Sequence, residues 1–174
     1  MTDNLTVLDQ GKTLEFSFED ALRYHGPLAP GGVAHAYQVL ARALEVLSAD
    51  GPVERRALVV TTAHGGPGVR DTFELVTRGV TEGRYTVNAA LARKERGTTL
   101  ANYVFQIEYR NTAITVVIRD DGFVVDEYIS LSRVANRTPE QEARLVVVKQ
   151  EMADRVMAQP AAQVYDVEPA LATI

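Results

Sequence analysis

The 174-residue chain is 46% hydrophobic and 24% charged, a balance that suits one folded globular domain and excludes a disordered segment. A net charge of -5, with no lysine/arginine cluster to offset it, argues against a nucleic-acid surface; the densest basic stretch, Arg93-Lys94-Glu95-Arg96, is interrupted by an acid. The complete lack of cysteine excludes disulfides, thiolate catalysis and every cysteine-based zinc or iron–sulfur site.

At the N-terminus, Met1-Thr2-Asp3-Asn4-Leu5 has neither a basic nor an apolar leader region. No apolar run approaches the roughly 20 residues that span a bilayer. The expectation is a soluble, cytoplasmic protein without membrane contact. Residues 1–15 are weakly patterned and are expected to form an arm or a short edge strand, with residues 16–174 as a single domain that includes a C-terminal helix and tail.

Ser17-Phe18-Glu19-Asp20 is a helix start, with a capping serine, an acid three residues later and two carboxylates at the positive helix end. This helix stops near Gly26, and the proline- and glycine-rich residues 27–32 form a turn. A long helix is expected from Gly32 to about Asp50, because Val33, Tyr37, Leu40, Leu44 and Leu47 recur at spacings of three and four. Ala57-Leu58-Val59-Val60 is expected as a buried strand, His64-Gly65-Gly66-Pro67-Gly68 as a loop, and residues 69–80 as a second amphipathic helix with Phe73, Leu75 and Val76 inward.

Tyr103, Phe105, Ile107 and Tyr109 alternate with Val104, Gln106 and Glu108, and Ile114, Val116 and Ile118 alternate again beyond Asn111-Thr112. That period of two on either side of a tight turn is a hairpin. Asp120-Asp121-Gly122 turns the chain into the apolar Phe123-Val124-Val125. Thr138-Pro139-Glu140-Gln141 opens a helix that runs to about Ala158, and Val164, Tyr165 and Val167 mark a tail that packs. This order predicts an α+β fold with helices packed on a mainly antiparallel sheet.

The three histidines, His25, His35 and His64, all flank glycine-rich turns, where loops bring imidazole and backbone groups together. With Asp71 or Glu74 they form a candidate donor set, although spacing alone does not force them to converge and a lone histidine is more often a capping or hydrogen-bonded side chain. The loop at His64, Gly65 and Gly66 opens a helix and suits a pocket wall; it lacks the lysine and Ser/Thr of a phosphate loop. None of Ser17, Ser48, Ser130 and Ser132 lies in a Gly-x-Ser-x-Gly elbow.

The segment Tyr24-His25-Gly26-Pro27-Leu28-Ala29-Pro30-Gly31 resembles the signature of the FmdE-like family of formylmethanofuran dehydrogenase proteins, an aromatic followed by His-Gly-His-x-Cys-Pro-Gly. Pro27 stands at the second histidine and Ala29 at the cysteine. Gly68-Val69-Arg70-Asp71-Thr72-Phe73 occupies the place of the family's second signature, with Pro67 near its cysteine, and the likeness extends over residues 16–168. The resemblance implies an α+β homodimer with a small pocket where the two signature segments meet. It also implies that only His25 survives from the family's metal ligands, so no cofactor or metal is expected.

Three functions follow as expectations. The first is a small-molecule-binding or accessory protein whose pocket is walled by His25, Gly26, Pro30, Gly31, His35, His64, Gly65, Gly66 and Asp71. The second is a metal-dependent enzyme with a divalent ion on His25, His35 and His64, and Asp71 beside them. The third is a purely structural interaction protein.

Overall fold

The computed structural model describes residues 3–169. The first two residues and the end of the expected tail, residues 170–174, lie outside it. The N-terminal segment is a full hairpin rather than an arm: β1 (Leu5–Asp9) and β2 (Lys12–Phe16) pair antiparallel from Leu5 opposite Phe16 to Asp9 opposite Lys12. Gln10 and Gly11 turn the chain with positive φ, 52° and 80°, the left-handed geometry that matches strand twist in two-residue hairpins. The Glu54 carboxylate accepts from both of their amides. β3 (Val53–Glu54) joins β1 in parallel, giving a small sheet in the order β2-β1-β3.

The second sheet has the order β5-β4-β6-β7-β8, built from β4 (Leu58–Thr62), β5 (Tyr85–Val87), β6 (Val104–Tyr109), β7 (Thr112–Ile118) and β8 (Tyr165–Pro169). Every pairing is antiparallel except β4 with β5. The fold is therefore α+β, as the order of elements predicts. Phe105, Ile107, Ile114, Val116 and Ile118 face the main core; Val104 and Val117 face the other way, against Ala63, Leu91 and Ala92. β4 differs from its expectation, because Leu58 and Val60 are buried while Val59 is 37% exposed. It is a one-sided strand; its apolar run only looks continuous.

Six helices lie among the described residues: α1 (Phe18–His25), α2 (Pro30–Leu47), α3 (Pro67–Thr77), α4 (Asp126–Arg133), α5 (Pro139–Met157) and α6 (Ala161–Val164). α2 is the central one. It packs on α3, on α5 and on β6, β7 and β8. Proline at its first turn starts it two residues before Gly32. α3 likewise starts at Pro67 and stops at Thr77, where Arg78 turns left-handed, so it is shifted towards the N-terminus relative to residues 69–80. Its Leu75 is only partly buried. Phe123-Val124-Val125 forms no strand; Phe123 and Val124 plug the core, and the unanticipated α4 follows.

Two helix starts form as their sequences dictate. The Ser17 hydroxyl accepts from the Asp20 amide and the Asp20 carboxylate from the Ser17 amide, at 3.1 and 2.8 Å. Thr138 and Gln141 make the same reciprocal pair at the start of α5. Replacing a capping threonine with alanine costs about 1 kcal/mol, so Thr138→Ala should lower the melting temperature by about 2–4 °C in scanning calorimetry. An unchanged melting temperature would mean the start of α5 is already frayed in solution.

One buried side chain ties α2 to the end of α5. Gln38 donates from Nε2 to the carbonyls of Val156 and Gln159 at 2.9 and 2.7 Å, satisfying helix-end acceptors that have no partner within the helix.

Candidate functional site

β4 delivers the chain to the site through a side-chain turn. The Thr62 hydroxyl donates to the Val104 carbonyl at 2.7 Å and accepts from the His64 amide at 3.1 Å. His64 Nδ1 then accepts from the Gly66 amide at 3.0 Å, and Gly66 is the N-cap of α3. Only glycine fits there, because a Cβ on Gly66 would come 2.6 Å from His64 Cε1. With Nδ1 occupied as an acceptor, the neutral His64 ring carries its proton on Nε2.

Aromatic rings enclose this imidazole. Tyr103 crosses it edge-on with centroids 4.7 Å apart, and Phe105 stacks at 6.4 Å. Tyr103 also packs, at 4.9 Å, against His35 of α2, which is fully buried. His35 Nδ1 is 2.8 Å from the Tyr165 hydroxyl of β8, and its Nε2 is buried without a partner. Burial pushes His64 down to about 4. Burial, with the nearby His64 adding to it, brings His35 to about 3, the Phe123 backbone opposing weakly. Both imidazoles are therefore neutral at physiological pH. Burial, reinforced by Tyr128, holds the Tyr103 phenol well above its ordinary value, so it stays an O–H donor.

Over this cluster lies a cavity of about 220 Å³ between the His64–Gly66 loop and α4, with Thr98, Thr99 and Asn102 on one side and Tyr128, Ser132 and Arg133 on the other. No aspartate or glutamate lines it. Tyr103 forms part of its wall and is only 3% exposed, yet its hydroxyl has no hydrogen-bond partner among the described residues. None of the residues of α4 is fully buried, but Tyr128 and Ile129 pack on the core, and ion pairing of Glu127 with Arg144 on α5 and a hydrogen bond from Thr99 to Asp126 add to that packing.

His25 belongs to a different place. It is the last residue of α1, and its Nδ1 lies 2.8 Å from the Asp71 carboxylate of α3. The His25 side chain is 3% exposed and its Nε2 is buried without a partner. Burial raises Asp71, but hydrogen bonds from His25 and Arg70 outweigh it and leave the carboxyl below its usual value.

The segments expected to wall one pocket close against each other instead. A Cβ on Gly68 would meet the Ala29 carbonyl oxygen at 2.7 Å and the Val33 amide at 3.1 Å, which leaves no room for a ligand between α2 and α3. The nine sequence-predicted site residues consequently separate. Gly26 and Pro30 line an apolar groove of about 740 Å³ with Leu28, Val146 and Val147. Gly31 is packed against Met152 of α5, where an added Cβ would lie 2.2 Å from its Cε. His25 joins Asp71, and His35 sits beneath the cavity lined by His64, Gly65 and Gly66. Among the described residues, no three His, Cys, Asp or Glu side chains are grouped to hold a metal ion, so the His25/His35/His64/Asp71 ligand set is not assembled.

Sequence reasoning missed Tyr103, Tyr165, Tyr128 and Arg133 as site residues. Tyr103 carried a signal as an inward member of the β6 alternation, although it precedes the strand. Tyr165 carried none, since the residue it bonds is 130 positions away.

No protein-family model matches the chain, and no curated protein matches it. No helix among the described residues is long and apolar enough to cross a membrane.

Proposed function

We propose that the protein is a small-ligand-binding module whose ligand occupies the cavity between the His64–Gly66 loop and α4. The observation that carries this reading is the Tyr103 hydroxyl, held at the cavity wall on a nearly buried side chain without a partner among the described residues. Having no partner within the protein, this hydroxyl is free to donate to a ligand acceptor in place of water, a bond with a net contribution of about 1 kcal/mol. His64 adds a second donor of fixed tautomer beside it. This pair replaces the His25–Gly31 turn as the centre of the site.

The resemblance to the FmdE-like family of formylmethanofuran dehydrogenase proteins enters as a proposal of descent, supported by residues 24–31 and by the α+β architecture. A homodimeric state and a cytoplasmic location belong to the same proposal. Light scattering after size exclusion tests the first of these.

A thermal-shift screen of small polar metabolites tests the binding reading. A ligand that binds only the folded state at 100 times its Kd stabilises by about 2.7 kcal/mol. Stabilisation in the wild type and its loss in Tyr103→Phe is the expected result. A screen without any stabilising compound would favour a structural interaction protein instead.

A further inference from the structure

We infer that the ligand of this cavity is a small organic carboxylate carrying one negative charge, an inference that rests on the cavity being the binding site. The wall carries two ring donors, Tyr103 and His64. Tyr103 keeps its O–H because burial raises the phenol, and His64 presents Nε2–H because its Nδ1 accepts from Gly66. Thr98 adds a hydroxyl, whereas the Ser132 hydroxyl already donates to the Tyr128 carbonyl at 2.7 Å. A neutral ligand with balanced donors and acceptors would leave several of these groups competing for too few lone pairs; a carboxylate offers about four acceptor sites on two oxygens.

Charge points the same way. Arg133, at the C-terminal end of α4, is the only charged side chain lining the cavity, and it has no carboxylate partner among the described residues. Arg96, Arg110 and Arg155 likewise form no ion pair among the described residues, but none of them lines the cavity. Neither acid of α4 lines the cavity: Asp126 accepts from the Thr99 hydroxyl, and Glu127 pairs with Arg144. The first turn of α3, an 11-residue helix entered at Gly66, adds its positive end to the same wall. With both imidazoles neutral, the site balances one negative charge rather than the two of a phosphate monoester.

Size sets the upper limit. A cavity of about 220 Å³ falls below the ~300–1,000 Å³ of sites for drug-sized ligands and coenzymes, which leaves room for a carboxylate of a few heavy atoms.

Calorimetric titration at pH 7.5 and constant ionic strength provides the test, with pyruvate and propionate as probes and propionamide and inorganic phosphate as comparisons. The expected result is saturable binding of at least one carboxylate. Propionamide and phosphate should bind at least ~10-fold more weakly, with a loss of ~10-fold or more for the carboxylate in both Arg133→Ala and Tyr103→Phe. Arg133 is exposed and unpaired, so its truncation leaves the fold intact; a circular-dichroism melt verifies this. Propionamide binding that is as tight as propionate, and lost in Tyr103→Phe, overturns the carboxylate class while sparing the pocket. Tighter binding of phosphate overturns it too, as does carboxylate binding that Arg133→Ala leaves unchanged. No binding of any probe overturns the carboxylate inference, and the thermal-shift screen of metabolites then decides whether the pocket itself survives.

Discussion

Acidification from pH 7 to pH 5 should destabilise the folded protein by about 4 kcal/mol, well before the carboxylates begin to titrate. His35 and His64 have folded-state pKa values of about 3 and about 4, both below the ordinary 6.5. The unfolded chain therefore binds protons that the folded chain refuses, and stability falls as pH falls. The full contribution is present above about pH 7. It declines by about 1.4 kcal/mol per pH unit for each histidine once pH drops through 6.5, until the folded-state values are reached. His64 has an edge on the cavity, where water screens it, so His35 carries the larger share.

Carboxylates that the folded state holds below their usual values, Asp71 and Glu74 among them, act in a lower window. Their stabilisation persists above the unfolded carboxylate pKa and disappears as pH falls below it. Urea unfolding at pH 7, 6 and 5, and again at about pH 4 and 3, separates the two windows. His35→Phe should flatten the slope between pH 6.5 and 5, even though the variant loses the Tyr165 hydrogen bond. A wild-type profile that is flat over that interval would show that His35 charges in the folded state, and the aromatic cluster would have to be open to water.

The second large effect sits where α2 crosses α3. Gly68→Ala should destabilise by about 2–3 kcal/mol and lower the melting temperature by about 4–10 °C, because the new methyl meets backbone atoms that no rotamer change can move. The Ala29 carbonyl oxygen would be 2.7 Å away and the Val33 amide 3.1 Å. Helix propensity predicts the opposite sign, since alanine is favoured over glycine by about 1 kcal/mol in a helix interior. Gly32 supplies the control from the facing helix. A Cβ there meets Val69 N at 3.5 Å, an ordinary contact, so Gly32→Ala should be neutral or slightly stabilising. Calorimetry on both variants decides; equal effects would mean that α2 and α3 do not touch as closely as their glycines imply.

This crossing also bears on where the cavity lies. By closing the space between the two glycine-rich turns, Gly68 keeps His25 and Asp71 apart from His35 and His64. The first pair becomes a buried imidazole–carboxylate contact at 2.8 Å, and the second lies under the cavity beside Tyr103. Two sets of residues that could have formed one polar centre thus do different work.

Much of the secondary structure was legible from local chemistry. Ser17 with Asp20 and Thr138 with Gln141 cap their helices through contacts three residues apart, so a short stretch of chain contains all the information. The alternation from Phe105 to Ile107 and from Ile114 to Ile118 gives the β6–β7 hairpin for the same reason. α4 was not legible, because its apolar residues, Tyr128, Ile129 and Leu131, span barely one turn and none is fully buried, although Tyr128 and Ile129 pack on the core. The buried appearance of β4 misled in the other direction, since Val59 has the composition of a core residue but faces out.

The candidate site divides along the same line. Sequence determined that His25, His35 and His64 would lie at or near glycine-rich turns, that cysteine chemistry is excluded, and that the loop of residues 64–68 would lead into a helix. Only the tertiary structure decided that Tyr165 reaches His35 across 130 positions, that Tyr103 packs on both His35 and His64, and that Gly68 closes against Ala29 and Val33. Caps and alternation act over two to four residues and leave a periodic trace. The convergence of side chains depends on how α2 packs against α3 and the sheet, and packing that joins distant positions leaves no period in the chain to read.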